Sequence, residues 1–297
     1  MATGWAEIRR WAQRAASDLD GWLERLEQWL GVWGAAALAA TVLLALGALY
    51  VRPGLEAVSH GVYYAELSRA PFAPGDNPVA YRILTPLVAW LVGLRGNGIL
   101  LLNLLVAWAT LGVVYRTYRA RERTPALALG YAALLATTMP VLFTIHVNGY
   151  TDATSYLLLY MLMVGGENAW AFGGLVLLSL LNRESAAFML PFLLLLQVQR
   201  GRRLWPKVLA TAAALLVYLG VRALLSVHAV GAQSAAFYLQ PLLRDPFHWL
   251  RKASVAYTTG VFSAFKLLWM LAIGAVWMAA RERRWLDAAV IGSAIVG

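Results

Sequence analysis

Long apolar runs separated by short polar interruptions extend along almost the whole chain. Of its 297 residues, 61% are hydrophobic and only 13% are charged, whereas a soluble domain carries about 25% charged residues. A helix needs about 20 apolar residues, within a range of about 17–25, to cross a bilayer. The runs are Trp29–Val51, 83–94, 98–115, 125–145, 153–164, 169–181, 186–199, 208–227, 259–280 and 286–297. The sequence therefore predicts an all-α, polytopic protein of the cell (inner) membrane with about 8–10 membrane helices, some of them short or re-entrant.

Basic clusters between the apolar runs predict the orientation of the chain. The formal net charge of +10 comes mostly from such clusters, at 116–123, 200–207 and 281–284. Cytoplasmic loops of membrane proteins are enriched in Lys and Arg. Four apolar segments separate the first two clusters and two separate the second from the third, so all three can be cytoplasmic. The polar segments then expected outside are 146–152, 182–185 and 228–258.

The N-terminal third leaves two topologies open. Residues 1–30 are predicted to form an amphipathic helix on the membrane surface, or alternatively one docked on a partner subunit. Residues 31–297 then form a single transmembrane domain with outer loops at 52–82 and 228–258. The outer position of loop 52–82 requires that segment 83–94 be half-buried or re-entrant. An N-terminus outside would place that loop in the cytoplasm.

Loop 52–82 carries the first group of candidate functional residues. It is too polar to span a membrane and too aromatic for a plain linker. Arg82 precedes Pro86 at the mouth of an apolar helix, where a guanidinium can clamp a phosphate through two hydrogen bonds. The alternative is an arginine that extends toward lipid headgroups. The same loop contributes Tyr64, Glu66, Asp76 and Tyr81.

Two later polar interruptions supply the remaining candidates. Asp152 begins a helix and either complements the helix dipole or acts near His146 and Asn148 as a general base or divalent-cation ligand. Arg183 and Glu184 join two short apolar helices. They form either a surface ion pair of little energetic value or a pair below the membrane surface that implies a ligand or partner.

Several function classes are excluded by composition. The chain has no Cys, so disulfides, thiol catalysis and Cys-ligated zinc are absent. The sequence lacks a basic face with stacking residues, so nothing in it indicates nucleic-acid binding. Gly-rich phosphate loops, Gly-x-Ser-x-Gly elbows and His-x-x-x-His pairs are missing as well. The sequence requires no metal site and no cofactor, although a divalent cation remains an open option.

Residues of three segments together resemble a known family. Tyr63-Tyr64, Tyr81-Arg82-Ile-Leu-Thr-Pro86, Asp152 and Arg183-Glu184-Ser185 resemble the GT-C superfamily of polytopic membrane glycosyltransferases, especially its small bacterial members. The resemblance covers roughly residues 30–200. It implies a polyisoprenyl-phosphate sugar donor, an acceptor on the outer face and an acidic general base early in the first outer loop. Where the family often carries an acidic pair, this chain has Glu56, His60 and Glu66.

The leading hypothesis is an inverting, lipid-linked glycosyltransferase. Glu66 or Asp76 would be the base, and Arg82 and Arg183 would hold the donor phosphate. The full predicted set has Glu66, Asp76 and Asp152 as catalytic residues and Tyr64, Tyr81, Arg82, His146, Asn148, Arg183 and Glu184 as substrate-binding residues. Asp152 and Glu184 would orient the acceptor or a metal. The expected partners are membrane lipid and the lipid-linked donor, with a membrane protein complex as a further option. The alternatives are a non-catalytic scaffolding subunit and a transporter or flippase.

Overall fold

The computed structural model describes residues 2–58, 60–73, 77, 79–121, 124–146, 150–165, 167–226, 267–282, 284–285 and 287. The regular secondary structure of these residues is helical throughout, which confirms the all-α prediction. The α-helices are α1 Ala2–Tyr50, α2 His60–Arg69, α3 Leu84–Leu91, α4 Ile99–Arg121, α5 Pro125–Ala136, α6 Met139–His146, α7 Asp152–Val164, α8 Ala169–Asn182, α9 Leu190–Gln199, α10 Leu204–Ser226 and α11 Leu267–Arg281. Two 3₁₀-helices, Gly96–Gly98 and Glu184–Met189, precede α4 and α9. Loop 228–258 and apolar segment 286–297 lie outside the described residues, apart from Asp287.

Membrane-length helices are present among the described residues. Among the described residues, three helical segments are long and apolar enough to cross a bilayer: Gln13–Tyr50, Gly96–Arg121 and Leu204–Leu225. Four shorter apolar helical segments accompany them: Pro125–Ala136, Asp152–Val164, Ala169–Asn182 and Glu184–Gln199. Membrane character is thus supported. The count of 8–10 spans stays a prediction.

Two long apolar segments contain a break, one at Gly31 and the other just before Pro140. Gly31 lies at φ 71° and ψ 164° inside α1, a conformation that an L-residue with a Cβ rarely adopts. The predicted apolar stretch 125–145 is split into α5 and α6 around Thr137 and Thr138. Pro140 has no backbone N–H and is tolerated only in the first turn of a helix. It therefore starts a new helix instead of continuing α5.

The N-terminal part of α1 directs acidic side chains at the helix bundle. Glu27 accepts hydrogen bonds from Tyr115 Oη at 2.8 Å and from Arg119 Nε at 2.9 Å. Asp20 Oδ1 accepts a hydrogen bond from the backbone N–H of Ala126, at the start of α5. The predicted amphipathic helix is therefore docked on its own chain along this side. Its position on a membrane surface stays a prediction.

Apolar cores hold the bundle together. Leu162 of α7, Phe172 and Val176 of α8 and Leu193 of α9 form one cluster, and all are almost fully buried. A second cluster joins α1, α4 and α5 and includes Tyr115, which is completely buried. Between membrane helices, where lipid replaces water as the alternative surrounding, such contacts stabilise through close van der Waals packing. These cores fix the directions of the helices and so determine which loops meet.

The loops collect at two polar ends of the bundle. The site end is formed by the described residues of segments 52–82, 146–152 and 182–184 together with residues 218–222 of α10. The basic end is formed by residues 116–121 and 199–207 and by the described residues of segments 163–167 and 281–287. At the site end, His146 Nδ1 lies 3.1 Å from the backbone oxygen of Arg52. At the basic end, Gln199 Nε2 donates to Asp287 Oδ1 at 2.6 Å. Arg82 likewise contacts Glu184, so described residues of loop 52–82 meet residues of the two later polar segments. The side of the membrane that each end faces stays a prediction.

Candidate functional site

Arg82 and Glu184 form the central ion pair of the site end. Arg82 Nε donates to Glu184 Oε2 at 2.9 Å, and its NH1 donates to Tyr64 Oη at 3.0 Å. The two charged side chains are 24% and 31% exposed. Burial alone would lower the pKa of the Arg82 guanidinium, but Tyr64 and Glu184 together outweigh it and raise that pKa above its ordinary value. Arg82 is therefore a permanent cation fixed by two partners.

Arg183 and Asp152 form a second ion pair. Arg183 NH1 donates to Asp152 Oδ1, the carboxylate in the first turn of α7. Extended backbone at Arg183 (φ −159°, ψ 124°) ends α8 and begins the 3₁₀-helix. Burial, followed by the positive charge of Arg82, lowers the pKa of Arg183. The two guanidiniums are thus close enough to repel each other, and an anion between them would relieve that repulsion.

A third guanidinium enters the cluster from α10. Arg222 NH1 lies 3.7 Å from Glu184 Oε1 and donates to Tyr218 Oη at 3.0 Å. The Cζ atom of Arg222 lies 4.1 Å from the centroid of the Tyr81 ring, which is cation–π distance. The carboxylate of Glu184 is therefore shared by two arginines, Arg82 and Arg222. Tyr81 joins the cluster through its ring face.

The sequence analysis did not include Arg222 or Tyr218 among its candidates. A signal was present, because Arg222 lies within the apolar run 208–227, and ionisable residues within membrane helices mark sites by default. Tyr218 lies four residues earlier on the same helix face, the spacing at which side chains meet. The predicted candidates come from the polar segments between the apolar runs, whereas Arg222 lies inside an apolar run.

A buried hydrogen-bond network fixes the helices beneath the ion pairs. Asn182, which is fully buried, accepts from Thr85 Oγ1 at 2.6 Å and donates to the backbone oxygen of Thr151 at 2.9 Å and to Ser155 Oγ at 2.8 Å. The hydroxyl of Thr85 also lies 2.8 Å from Thr154 Oγ1. Helices α3, α7 and α8 are therefore tied to one another at the site end.

The remaining predicted residues lie outside this cluster. Glu66 is exposed, and two residues along α2 correspond to a rotation of about 200° from the buried Tyr64, so its side chain points to the opposite face. His146 is exposed at the site end, beside the backbone of Arg52. Asp76 and Asn148 lie outside the described residues.

The composition of the cluster favours anion binding. Arg82, Arg183 and Arg222 face Asp152 and Glu184, which leaves one formal positive charge. Guanidinium groups bind phosphate and carboxylate oxygens in a planar, two-pronged geometry. In the part of the chain that the structure describes, no three His, Asp or Glu residues are grouped to hold a metal ion. The described geometry thus offers an anion site lined by carboxylates and tyrosines.

No protein-family model, characterised protein or solved structure matches this chain.

Proposed function

We propose that the protein is a membrane glycosyltransferase that transfers a sugar from a polyisoprenyl-phosphate donor to a hydroxyl acceptor on the extracytoplasmic side. The observation that carries this proposal is the arginine cluster of Arg82, Arg183 and Arg222, held by Glu184 and Asp152 at one end of an apolar helix bundle. A lipid-linked donor presents a phosphate head on an apolar tail. Its chemistry matches a basic site at the end of membrane helices.

The proposed reaction is a direct displacement at the anomeric carbon of the sugar. The acceptor oxygen forms a bond to that carbon while the bond from the carbon to the phosphate oxygen breaks. The phosphate leaves with the bonding electron pair, and the acceptor proton passes to a carboxylate. Because negative charge grows on the leaving phosphate, fixed guanidiniums such as Arg82 and Arg183 would stabilise the transition state more than the ground state.

We assign the proton acceptor to Asp152. Asp152 lies within the arginine cluster, whereas the side chain of Glu66 lies on the far face of α2. A donor phosphate that takes over Arg183 would release the Asp152 carboxylate. The released carboxylate is then able to accept the proton of the acceptor hydroxyl.

The test is transfer of labelled sugar by the purified protein in lipid nanodiscs. A panel of polyprenyl-phosphate-linked sugars is supplied, and release of polyprenyl phosphate is followed together with the labelled product. Arg82→Lys removes the two-pronged geometry but keeps the charge. Loss of one charged hydrogen bond costs about 1.5–3 kcal/mol, which corresponds to a rate lower by about 10- to 150-fold. Asp152→Asn is expected to lower the rate at least as much.

Arg119→Lys is the matched control. Arg119 also pairs with a glutamate, Glu27, and its side chain has the same 24% exposure as that of Arg82, but it lies at the basic end. We expect this variant to retain transfer activity within about twofold, which is less than 0.5 kcal/mol. Absence of transfer from every donor in the panel, or equal losses in Arg82→Lys and Arg119→Lys, would contradict the proposal.

A further inference from the structure

A pocket opens at the basic end of the bundle, remote from the arginine cluster. Its volume is about 460 Å³. It lies between the start of α8 and the start of α10. Its lining residues are Glu167, Ala169, Arg202, Arg203, Pro206 and Lys207. A cavity of this size, with three basic residues in its wall, has room for a phosphate group and part of the molecule that carries it.

Lys207 is the most unusual residue of this pocket. It is only 2% exposed, and lysines are almost never this buried unless they are paired. Its Nζ donates to Gln197 Oε1 at 2.7 Å and lies 5.8 Å from the ring centroid of Phe172. Among the described residues, no carboxylate lies within 4.0 Å of this amine. A buried cation with neutral partners alone is costly, and an anion in the pocket would compensate it.

The other two cations of the pocket are also incompletely neutralised. Arg202 donates to the backbone oxygen of Gly165 at 2.6 Å, and its ion pair with Glu167, at 3.4 Å, involves a carboxylate side chain that is 89% exposed. Such an exposed pair contributes little. Arg203 is exposed at the mouth of the pocket. Among the described residues, these three cations therefore share one weakly held carboxylate.

The position of these cations on the helix adds to the imbalance. α10 begins at Leu204, and Lys207 lies in its first turn. The N-terminus of a helix already carries a partial positive charge and free backbone N–H groups. Cations at this position oppose helix stability, whereas an anion bound there is stabilised by both the helix and the cations. Hydrogen bonds to Gly165 and Gln197 account in part for Arg202 and Lys207, but they neutralise neither charge.

We propose that this pocket binds a phosphate group, supplied either by the headgroup of an anionic membrane lipid or by a soluble phosphate. The site is separate from the arginine cluster at the other end of the bundle, and the proposal does not depend on the glycosyltransferase function. Its recognition elements are Arg203 at the mouth, Lys207 in the wall and the N-terminus of α10.

The experiment compares variants of the full chain in nanodiscs. Phosphatidylglycerol is titrated into discs of neutral phosphatidylcholine, and retained phosphatidylglycerol is counted by native mass spectrometry. Arg203→Gln is the first variant, because its exposed side chain makes loss of folding improbable, and Lys207→Met is the second. The control is Arg281→Gln, which removes the same charge from an exposed arginine at the same end. We expect Arg203→Gln to weaken retention about tenfold, the effect of one charged hydrogen bond, and Arg281→Gln to change it less than twofold.

A second arm identifies the source of the phosphate. Inorganic phosphate and pyrophosphate are titrated into the protein in neutral discs, and stabilisation against heat is measured. Saturable phosphatidylglycerol binding alone supports a lipid headgroup, and saturable binding of the soluble anions that Arg203→Gln weakens supports a soluble phosphate. Equal weakening by Arg203→Gln and Arg281→Gln overturns the proposal, because it shows diffuse surface charge. Absence of saturable binding of either probe to the wild type also overturns it.

Discussion

Two buried asparagines allow a direct test of the network that supports the site. Asn182 is fully buried and makes three hydrogen bonds, to Thr85, Thr151 and Ser155. Asn103 of α4 is 2% exposed, and neither polar atom of its amide has a hydrogen-bond partner among the described residues. Leucine has the branching of asparagine but is larger, so Asn182→Leu and Asn103→Leu share an overpacking cost and the difference between them reports the hydrogen bonds.

The two substitutions are expected to change the free energy of unfolding in different directions. Hydrogen bonds between membrane helices contribute about 0.6 kcal/mol each, and those in soluble proteins about 1 kcal/mol. Three such bonds imply that Asn182→Leu lowers the free energy of unfolding by about 2–3 kcal/mol, and more if the backbone oxygen of Thr151 finds no new partner. Asn103→Leu removes two unsatisfied polar groups. It should leave stability unchanged or raise it by about 1 kcal/mol.

The measurement is unfolding of both variants in mixed micelles by graded SDS, followed by far-ultraviolet circular dichroism. The free energies are compared with that of the wild type at the same detergent composition. A difference between the two variants of at least about 2 kcal/mol is expected. If Asn103→Leu is as destabilising as Asn182→Leu, the hydrogen bonds of Asn182 do not support the site and the reasoning fails.

Two further predictions concern topology and helix packing. Because the chain has no Cys, single cysteines at the exposed positions Glu66 and Glu167 report which side of the membrane each end of the bundle faces. A membrane-impermeant maleimide should label Glu66→Cys in intact cells but Glu167→Cys only after permeabilisation. Labelling of both variants from one side would contradict this topology. A Cβ at Gly173 would lie 2.9 Å from a backbone oxygen of α10, whereas one at Gly174 meets nothing within 4 Å. Gly173→Ala should therefore lose about 1–3 kcal/mol of stability and Gly174→Ala gain up to about 1 kcal/mol, measured as opposite shifts of the thermal unfolding midpoint.

The sequence indicates part of the cluster. Asp152 and Glu184 are polar residues between apolar runs, and counting the runs between basic clusters predicts them at one end of a bundle. Tyr64 and Arg82 belong to a loop that this counting leaves between two topologies, and it is the contacts of Arg82 with Glu184 and Tyr64 that show these residues together. Which arginine binds which carboxylate is not encoded in spacing, because Arg82 and Glu184 are 102 residues apart and meet only through the packing of α3 against α8.

Helical periodicity predicts the wrong exposure for Glu27, because tertiary contacts bury this residue. Residues 20 and 27 of α1 fall on the polar face of an amphipathic pattern, which predicts exposure. Glu27 is instead 9% exposed, since Tyr115 and Arg119 provide partners for its carboxylate. Helical periodicity does not reveal such partners, because they lie about 90 residues further along the chain.

The Arg82–Glu184 and Arg119–Glu27 pairs differ in a way that favours the proposed anion exchange at the site end. Arg82 and Arg119 have side chains of equal exposure, 24%, so desolvation of the cation does not distinguish them. Their glutamate side chains do differ, because Glu184 is 31% exposed and Glu27 only 7%. Displacing Glu27 would leave a buried carboxylate unpaired, which costs several kcal/mol, so that pair is a fixed structural contact. Glu184 can turn toward water when a phosphate takes its place on Arg82, and Arg222 remains close enough to hold it. Exchange of this kind at the Arg82–Glu184 pair is what the proposed site for an anionic donor requires.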